Sequence, residues 1–180
     1  VADDSVTLPQ EAKRIVPDTN VFINDPGAVE HFGVNEICIP IWVISELDEK
    51  KREQNGVGMA ARAASNAIYK YYKRGTHSLG DGVRTDAGGL LRIVTERKNL
   101  PVSGLKDKND KYIVEAAYHL LHEQNQGGRS NQRRGVELVT NDVNMILIAS
   151  AVGIVAREFE RPQVVKMLKD LYCGVVELTL

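Results

Sequence analysis

The amino-acid sequence predicts an α/β protein in which helices cover both faces of a parallel β-sheet. Short apolar segments typical of buried strands alternate along the chain with longer segments of helical periodicity. Such alternation indicates βαβ units, whose crossover helices pack on the two faces of a parallel sheet. The chain has 180 residues, of which 43% are hydrophobic and 26% charged. This size and composition are typical of one globular domain with a substantial core.

The first half of the chain contains two predicted strands and three predicted helices. The strands are short and apolar, whereas the helices show the 3.6-residue spacing, and the third helix is rich in Ala. The first helix is interrupted at Asp25-Pro26-Gly27. In chain order the elements are strand 14–17, helix 21–32, strand 36–40, helix 41–52 and helix 59–74.

The second half of the chain contains three further predicted strands and three further helices. Residues 75–90 are rich in Gly and small polar residues, and we predict an excursion or flexible loop there. Residues 124–135 are polar and are predicted to form a second loop. The remaining elements are strand 90–95, helix 109–123, strand 136–140, helix 142–152, strand 154–158 and helix 161–171.

The sequence argues against a membrane protein, a secreted protein and a globally basic nucleic-acid-binding protein. No apolar segment approaches the roughly 20 residues that cross a bilayer, and the first residues lack the pattern of a secretory signal. Cys38 and Cys173 are isolated, which indicates reduced thiols and a cytoplasmic protein. The formal net charge is −1, so positive charge occurs only in local clusters.

Carboxylates directly follow two of the predicted strands. Asp18 follows the first strand in "VPDTN", and Asp142 follows the strand in "VELVTND" with a similar polar neighbourhood. In α/β folds, functional sites form at the carboxyl ends of parallel strands, beside a switch in strand order. Asp at the start of a helix is also a common N-cap. The pattern alone leaves a helix cap and a metal site as alternatives at both positions.

A third carboxylate, Asp110, lies on the apolar side of its predicted helix. It is three residues before Ile113 of the apolar stripe. A carboxylate in that position must be paired, capped or bound to a metal, because an unpaired buried charge is costly. By the same spacing, Glu115, His119 and His122 are predicted to face solvent. We therefore interpret the two histidines as surface residues in preference to a zinc site.

The helix predicted after the second strand adds a candidate that the spacing leaves open. Val43, Ile44 and Leu47 form its apolar stripe, and Glu46 and Asp48 flank that stripe on either side. Helical geometry does not choose between the two carboxylates. The residues alone therefore indicate an acidic cluster built from three defined carboxylates and one undecided pair.

Five segments of the chain together resemble the PIN-domain nucleases. "VPDTNVFINDPGAVEHF" and "IPIWVISELDEKK" are similar to the form of this domain that is fused to an ATPase in PhoH-like proteins. "KNDKYIVEAA", "VELVTNDVNMILIASAVGI" and "LYCGVVEL" also match that family. The resemblance implies a three-layer α/β/α sandwich with a central parallel sheet. It assigns residues 14–180 to the PIN-like domain and residues 1–13 to an N-terminal tail.

The resemblance also implies an acidic metal site. The family places four acidic residues around a divalent cation, which here favours Glu46 over Asp48. The implied catalytic and metal-binding residues are Asp18, Glu46, Asp110 and Asp142. Small polar residues beside the first and last acids are implied to support them, namely Thr19, Asn20, Thr140 and Asn144. Mg²⁺ fits clustered carboxylates best, and Mn²⁺ is a plausible substitute.

The implied activity is a divalent-metal-dependent endoribonuclease that hydrolyses single-stranded RNA through a metal-activated water. Basic side chains are expected to hold the RNA backbone. The candidates for that role are Lys50, Lys51, Arg52, Arg129, Arg133 and Arg134. Tyr69, Tyr71 and Tyr72 are candidates for stacking on bases, although Tyr at this helical spacing is also typical of partly buried core.

The implied partners are single-stranded RNA, an ATPase domain and a second copy of the chain. No GxxxxGK[ST] motif occurs in the chain, so an ATPase domain, if there is one, lies outside these residues.

The main alternative is a PIN-like module that binds RNA or a protein without cleaving it. A phosphotransferase of the haloacid-dehalogenase type would need a second Asp where the chain has Asn20. "GVGMAA" resembles a dinucleotide loop but follows polar residues instead of a strand.

Overall fold

The computed structural model describes residues 8–75, 78–123 and 134–161. Within these residues the chain forms six strands and six helices. The strands are β1 (Arg14–Pro17), β2 (Glu36–Pro40), β3 (Val83–Arg84), β4 (Leu90–Val94), β5 (Val136–Val139) and β6 (Val155–Arg157). The helices are α1 (Thr19–Asn24), α2 (Ala28–His31), α3 (Ile41–Lys50), α4 (Gly56–Arg74), α5 (Lys108–Glu123) and α6 (Val143–Ala151). The helix predicted over 161–171 lies almost entirely outside the described residues.

The strands form one sheet in the order β3-β4-β2-β1-β5-β6. Every neighbouring pair is parallel except β3 and β4, which are antiparallel. β1 lies between β2 and β5, so the strand order switches direction at β1. We call the edge where the parallel strands end the carboxyl edge and the opposite edge the amino edge. A ligand crevice is expected at the carboxyl edge beside β1.

The central strands are buried on both faces of the sheet. All five residues of β2 and all four of β5 are buried. Each strand is apolar except for one glutamate, Glu36 in β2 and Glu137 in β5. This pattern is typical of a parallel sheet that is covered by helices on both sides. The predicted three-layer α/β/α arrangement with a central parallel sheet is therefore confirmed. None of the described helices is long and apolar enough to cross a membrane.

The segment 75–90, predicted as a flexible loop, instead contains an edge strand. β3 pairs with the start of β4, and the buried Thr85 side chain accepts a hydrogen bond from the Gly89 amide at 2.9 Å. Gly82 and Gly88 adopt positive φ angles of 96° and 87°, which side chains other than glycine rarely tolerate. The glycine content therefore reflects the backbone geometry of a tight hairpin.

Glu115, predicted to face solvent, is completely buried. The segment that follows β4 crosses this side of α5, and the Lys98 amide donates to the Glu115 backbone carbonyl at 3.1 Å. Arg97 from the same segment pairs with the Glu115 carboxylate. Helical spacing shows only which face lies opposite the sheet, so it could not reveal that a loop covers that face.

The third predicted helix, expected over 59–74, begins three residues earlier in the structure, because α4 starts at Gly56. The Asn55 side chain accepts a hydrogen bond from the Gly58 amide at 3.1 Å and so caps the helix. A Cβ atom at Gly58 would lie 1.9 Å from the carbonyl oxygen of Glu53. Glycine is therefore needed at Gly58 for close backbone packing, and the segment is a helix start.

Candidate active site

Asp18 lies at the carboxyl edge, between the end of β1 and the start of α1. Its side chain is 1% exposed and accepts a hydrogen bond from the Thr19 amide at 2.6 Å. The hydroxyl of Thr140, at the end of the neighbouring β5, donates to the second carboxylate oxygen at 2.8 Å. Asn20 is a more distant donor, 3.5 Å from that oxygen. Asp18 is thus a helix cap and also a member of a side-chain cluster that joins two strand ends.

Glu46 on α3 faces the same crevice. The hydroxyl of Thr19 donates to one of its carboxylate oxygens at 2.8 Å, which connects Glu46 to the segment that carries Asp18. Lys50 lies one turn further along α3, and its Nζ is 3.4 Å from the other oxygen. Asp48 points away, with a side chain that is 64% exposed and paired with Lys51. The structure therefore brings Glu46 to the crevice and leaves Asp48 on the surface.

Asp142 caps the start of α6 at the end of β5. One carboxylate oxygen accepts hydrogen bonds from the backbone amides of Asn144 at 2.7 Å and Met145 at 3.2 Å. The amide of Asp142 in turn donates to the Thr140 hydroxyl at 3.1 Å. Thr140 therefore contacts both strand-end acids, through its hydroxyl to Asp18 and through the Asp142 amide.

Asp110, in the first turn of α5, completes the acidic group. Its pKa is raised to about 6, first by burial and then by the negative charge of Asp107, Asp18, Glu46 and Asp142. Four of the predicted acids are therefore close enough to influence one another. We define the acidic cluster as Asp18, Glu46, Asp110 and Asp142.

The pKa of Asp18 is also raised, because burial disfavours its charged form and the Glu46 carboxylate adds repulsion. Hydrogen bonds from Thr140, the Thr19 amide and Asn20 oppose this shift by stabilising the carboxylate. Repulsion among carboxylates in one crevice is relieved by protonation or by a bound cation. The crevice therefore has the electrostatic character of a cation site.

The donor atoms in the crevice are carboxylate and hydroxyl oxygens, which suit hard divalent cations. Within residues 8–75, 78–123 and 134–161, no three His, Cys, Asp or Glu side chains are arranged so that they could hold one metal ion together. Mg²⁺ commonly binds through one or two carboxylates and retains several waters. The donor set fits that mode of binding, in which the other acids act through water.

His122 of α5 contacts the preceding turn of its own helix. His122 Nδ1 lies 2.8 Å from the Tyr118 carbonyl oxygen, and the two rings are 4.1 Å apart. Both His119 and His122 are partly buried. Helical spacing predicted that both face solvent, and the structure leaves them only partly exposed.

The basic residues expected to hold RNA are distributed over different surfaces. Lys50 and Lys51 pair with acids of α3, and Arg52 is exposed after that helix. Arg134 was predicted among them, but it precedes β5 at the amino edge and pairs with Glu36 at 3.3 Å. That position is at the opposite edge of the sheet from the acidic cluster, so the structure does not bring Arg134 to the site. Arg129 and Arg133 lie outside the described residues.

The three tyrosines of α4 have different environments. Tyr71 is 6% exposed and belongs to the core, as the alternative interpretation predicted. Tyr69 and Tyr72 stack on one another with ring centroids 5.7 Å apart, and Tyr69 is 52% exposed. These two rings line an open cleft of about 430 Å³ between α4, α3 and the end of β4.

The sequence analysis missed Asp107 and Arg97. Asp107 Oδ1 accepts hydrogen bonds from the amides of Asn109 at 2.7 Å and Asp110 at 3.2 Å, and its charge raises the pKa of Asp110. An Asp just before a helical pattern is a recognisable N-cap signal, so Asp107 could have been found. Arg97 could not, because only the fold brings it beside α3 and α5.

The comparisons with known proteins agree on one family. The family model described as "PIN domain" matches residues 15–160. The chain is 34% identical over 170 residues to Protein PhoH2 of Bacillus subtilis (strain 168), covering 93% of this chain and 37% of that protein. It is 31% identical over 160 residues to Protein PhoH2 of Mycolicibacterium smegmatis, covering 87% of this chain and 34% of that protein.

A solved structure shares the fold. It is a domain of a functionally unknown protein from Methanocaldococcus jannaschii, with a TM-score of 0.51 and 20% sequence identity. The match covers 94% of this chain and 99% of that domain. The curated relatives extend further, because this chain spans little more than a third of their length.

Proposed function

The chain belongs to the PIN-domain family, and on that premise we propose that it is a divalent-metal-dependent endoribonuclease acting on single-stranded RNA. The observation that carries the proposal is the acidic cluster at the carboxyl edge. Its four members come from four separate segments, and burial together with the negative charge of neighbouring acids raises the pKa of Asp110 to about 6. Helix capping accounts for Asp18 and Asp142 singly, but it does not account for four acids converging on one crevice, and such a cluster suits cation binding.

Asp18 and Asp142 are the proposed direct ligands of Mg²⁺, with Mn²⁺ as a substitute. Both are held by hydrogen bonds at strand ends, so their positions are fixed before a cation arrives. Glu46 and Asp110 are proposed to hold coordinated waters or to accept the proton of the attacking water. Thr19 and Thr140 orient the carboxylates of Glu46 and Asp18 through their hydroxyls.

The metal, when bound, would lower the pKa of a water and stabilise the negative charge that develops on the phosphate and the leaving oxygen. The residues of the chain position the scissile phosphate and a proton acceptor. The carboxylates fix where the scissile phosphate can lie, and Asp110 is suited to accept a proton near neutral pH. No nucleophilic side chain is required, because water attacks the phosphorus.

The proposal also includes a partner domain and a cellular compartment. The curated relatives are much longer than this chain, and we propose that an ATPase domain delivers the RNA strand to the acidic cluster, either in the same polypeptide or in another. We also propose that the protein works in the cytoplasm.

Cleavage of a labelled single-stranded RNA tests the proposal. We expect cutting with Mg²⁺ or Mn²⁺ that EDTA stops and that Asp18→Asn reduces by at least about 100-fold. Asp48→Asn is the matched control, because it neutralises an exposed acid of the same surface region without touching the cluster. RNA binding that is equal with and without metal, and no cutting by any variant, would support the non-cleaving module instead.

A further inference from the structure

We infer that a basic surface between β4 and α5 holds the phosphate backbone of the single strand beside the acidic cluster. We call it the β4–α5 surface and define it by Arg97, Lys98, Lys106, Lys108 and Lys111. The inference rests on the proposed function and deepens it, because it assigns the path of the substrate. None of these residues was among the basic residues that the sequence singled out for RNA.

The topology places this surface next to the acids. β4 is parallel to β2 and adjacent to it, so both strands end at the carboxyl edge. Arg97 follows the end of β4 by three residues, and the segment then leads into α5, whose first turn carries Asp110. Lys108 and Lys111 flank Asp110 on that helix. The surface therefore begins and ends at the edge where the acids lie.

Two aromatic rings join the β4–α5 surface to the acidic cluster. Trp42 is one turn before Glu46 on α3, so the two side chains share a helix face. Its ring lies 5.3 Å from the ring of Tyr112, which is two residues after Asp110. The Arg97 guanidinium lies 3.9 Å from the Tyr112 ring centroid and 5.8 Å from that of Trp42. Stacking on both rings fixes Arg97 in place.

The charges of this surface are available to a ligand. Arg97 and Lys111 share one buried acid, Glu115, so this group of three retains a net positive charge. Lys98, Lys106 and Lys108 form no ion pair with any carboxylate in the part of the chain that the structure describes. Lys98 and Lys108 are instead placed over tyrosine rings, at 5.6 Å from Tyr118 and 5.5 Å from Tyr112.

The acidic cluster makes such a surface necessary. Its carboxylates repel a polyanion, and the chain as a whole has a formal net charge of −1, so long-range attraction must come from a local patch. Lys50 is already paired with Glu46 and Lys51 with Asp48. Those pairs reduce the attraction that α3 offers to phosphate. Lysines without carboxylate partners contribute more to RNA binding, because they can pair with a phosphate without first breaking an ion pair with a carboxylate.

The test is the salt dependence of RNA binding, measured by fluorescence anisotropy in EDTA so that no cleavage occurs. The variant Lys106→Ala/Lys108→Ala removes two exposed charges of the β4–α5 surface. We expect several-fold weaker binding at low salt. The slope of log K against log salt should become shallower by about 1.4, the value for two lost contacts on a single strand. The matched control is Lys70→Ala/Arg84→Ala, which removes two exposed cations elsewhere on the described surface.

The inference requires that Lys106→Ala/Lys108→Ala changes the salt slope more than Lys70→Ala/Arg84→Ala does. If both change the salt slope equally, or if neither changes it, the β4–α5 surface does not hold the RNA. Cleavage assayed on the same proteins separates this inference from the proposed function. If Lys106→Ala/Lys108→Ala cuts RNA with metal and its KM is unchanged, the inference that the β4–α5 surface holds RNA is wrong. The proposed nuclease activity then still stands. If Lys106→Ala/Lys108→Ala loses RNA binding and the unsubstituted protein never cuts RNA, the role of the β4–α5 surface stands. The proposed nuclease activity is then wrong.

Discussion

At the scale of single residues, Thr140 connects the two strand-end acids. Its hydroxyl donates to the buried Asp18 carboxylate and accepts from the Asp142 amide. The Asp-Thr-Asn pattern in the sequence suggested either helix caps or a metal site, and the structure shows that capping and membership of the cluster occur together. The sequence could locate these acids because Asp18 follows an apolar strand directly and Asp142 follows another by three residues. The choice of Glu46 over Asp48 needed the family resemblance, since it depends on a Thr19 contact across the chain.

Replacement of Thr140 by Val tests this connection. The substitution keeps the shape but removes the hydrogen bond to Asp18, so the pKa of Asp18, already raised, should rise further. We expect a loss of about 1–3 kcal/mol in the free energy of unfolding, because a buried carboxylate loses a donor. The acid limb of the pH–activity profile should move to higher pH. Thr95→Val, at an exposed position after β4, should leave both the stability and the profile unchanged.

Replacement of Asp110 by Asn tests the electrostatic cost of its carboxylate, which arises first from burial and then from repulsion by the neighbouring acids. The folded-state pKa of about 6 is above the ordinary value of 3.8, so the folded protein binds this proton more tightly than the unfolded chain does. Stability is therefore lost as the pH rises from about 4 to about 6, and the deficit persists at higher pH. In EDTA at about pH 7.5, Asp110→Asn should be more stable than the unsubstituted protein by about 1 kcal/mol, after allowance for solvent screening.

Chemical denaturation at two pH values measures this effect. The gain from Asp110→Asn should nearly disappear at about pH 4, where the carboxyl group is protonated in the folded protein. A variant that is destabilised equally at both pH values would show that Asp110 makes a structural contact and that its charge carries no electrostatic cost. Asp48→Asn serves as the control for a surface acid.

At the scale of secondary-structure elements, five of the six strands match apolar runs in the sequence, whereas β3 does not. Buried parallel strands carry their own signal, because both of their faces need apolar side chains. β3 has two residues and is defined by the hairpin that returns the chain to β4, so its signal lies in tertiary contacts. The burial of Glu115 was missed for the same reason, since the covering segment is distant in sequence from its partner.

Two glycines should respond oppositely to replacement by Ala. A Cβ at Gly89 would lie 2.4 Å from the Gly33 carbonyl oxygen and 2.5 Å from that of Asn35, so backbone would have to move. We expect Gly89→Ala to cost about 2–4 kcal/mol of unfolding free energy. Gly56, at the start of α4, has no atom within 4 Å of its added Cβ, and Gly56→Ala should be neutral or stabilise by up to about 1 kcal/mol. Urea denaturation compares the two. A similar cost at both positions would contradict the close packing of Gly89 against the backbone that precedes β2.

At the scale of the whole molecule, the fold separates charges between the two edges of the sheet. The acidic cluster lies at the carboxyl edge beside the strand-order switch. At the amino edge, Glu36 is surrounded by Arg14, Arg92 and Arg134, and this pairing lowers its pKa. Glu36 at the amino edge is therefore neutralised by arginines, whereas the acids of the carboxyl edge repel one another. Composition and net charge could not show this difference, because it arises from which strands are neighbours.

A bound divalent cation should stabilise the folded molecule. The cation binds the assembled cluster and not the unfolded chain, so saturating Mg²⁺ or Mn²⁺ raises the midpoint of thermal unfolding. We expect this increase for the unsubstituted protein and for Asp48→Asn, and little increase for Asp18→Asn. An equal increase in all three proteins would indicate binding away from the cluster.

The most direct test of the central claim is a Mn²⁺ titration followed by electron paramagnetic resonance, because it needs neither RNA nor a partner domain. The claim is that acids from four separate segments build one cation site. We predict saturable binding by the unsubstituted protein and by Asp48→Asn, weakened at least about tenfold by Asp18→Asn and by Asp142→Asn. Equal affinity in all four proteins, or no saturable binding by the unsubstituted protein, would contradict the claim.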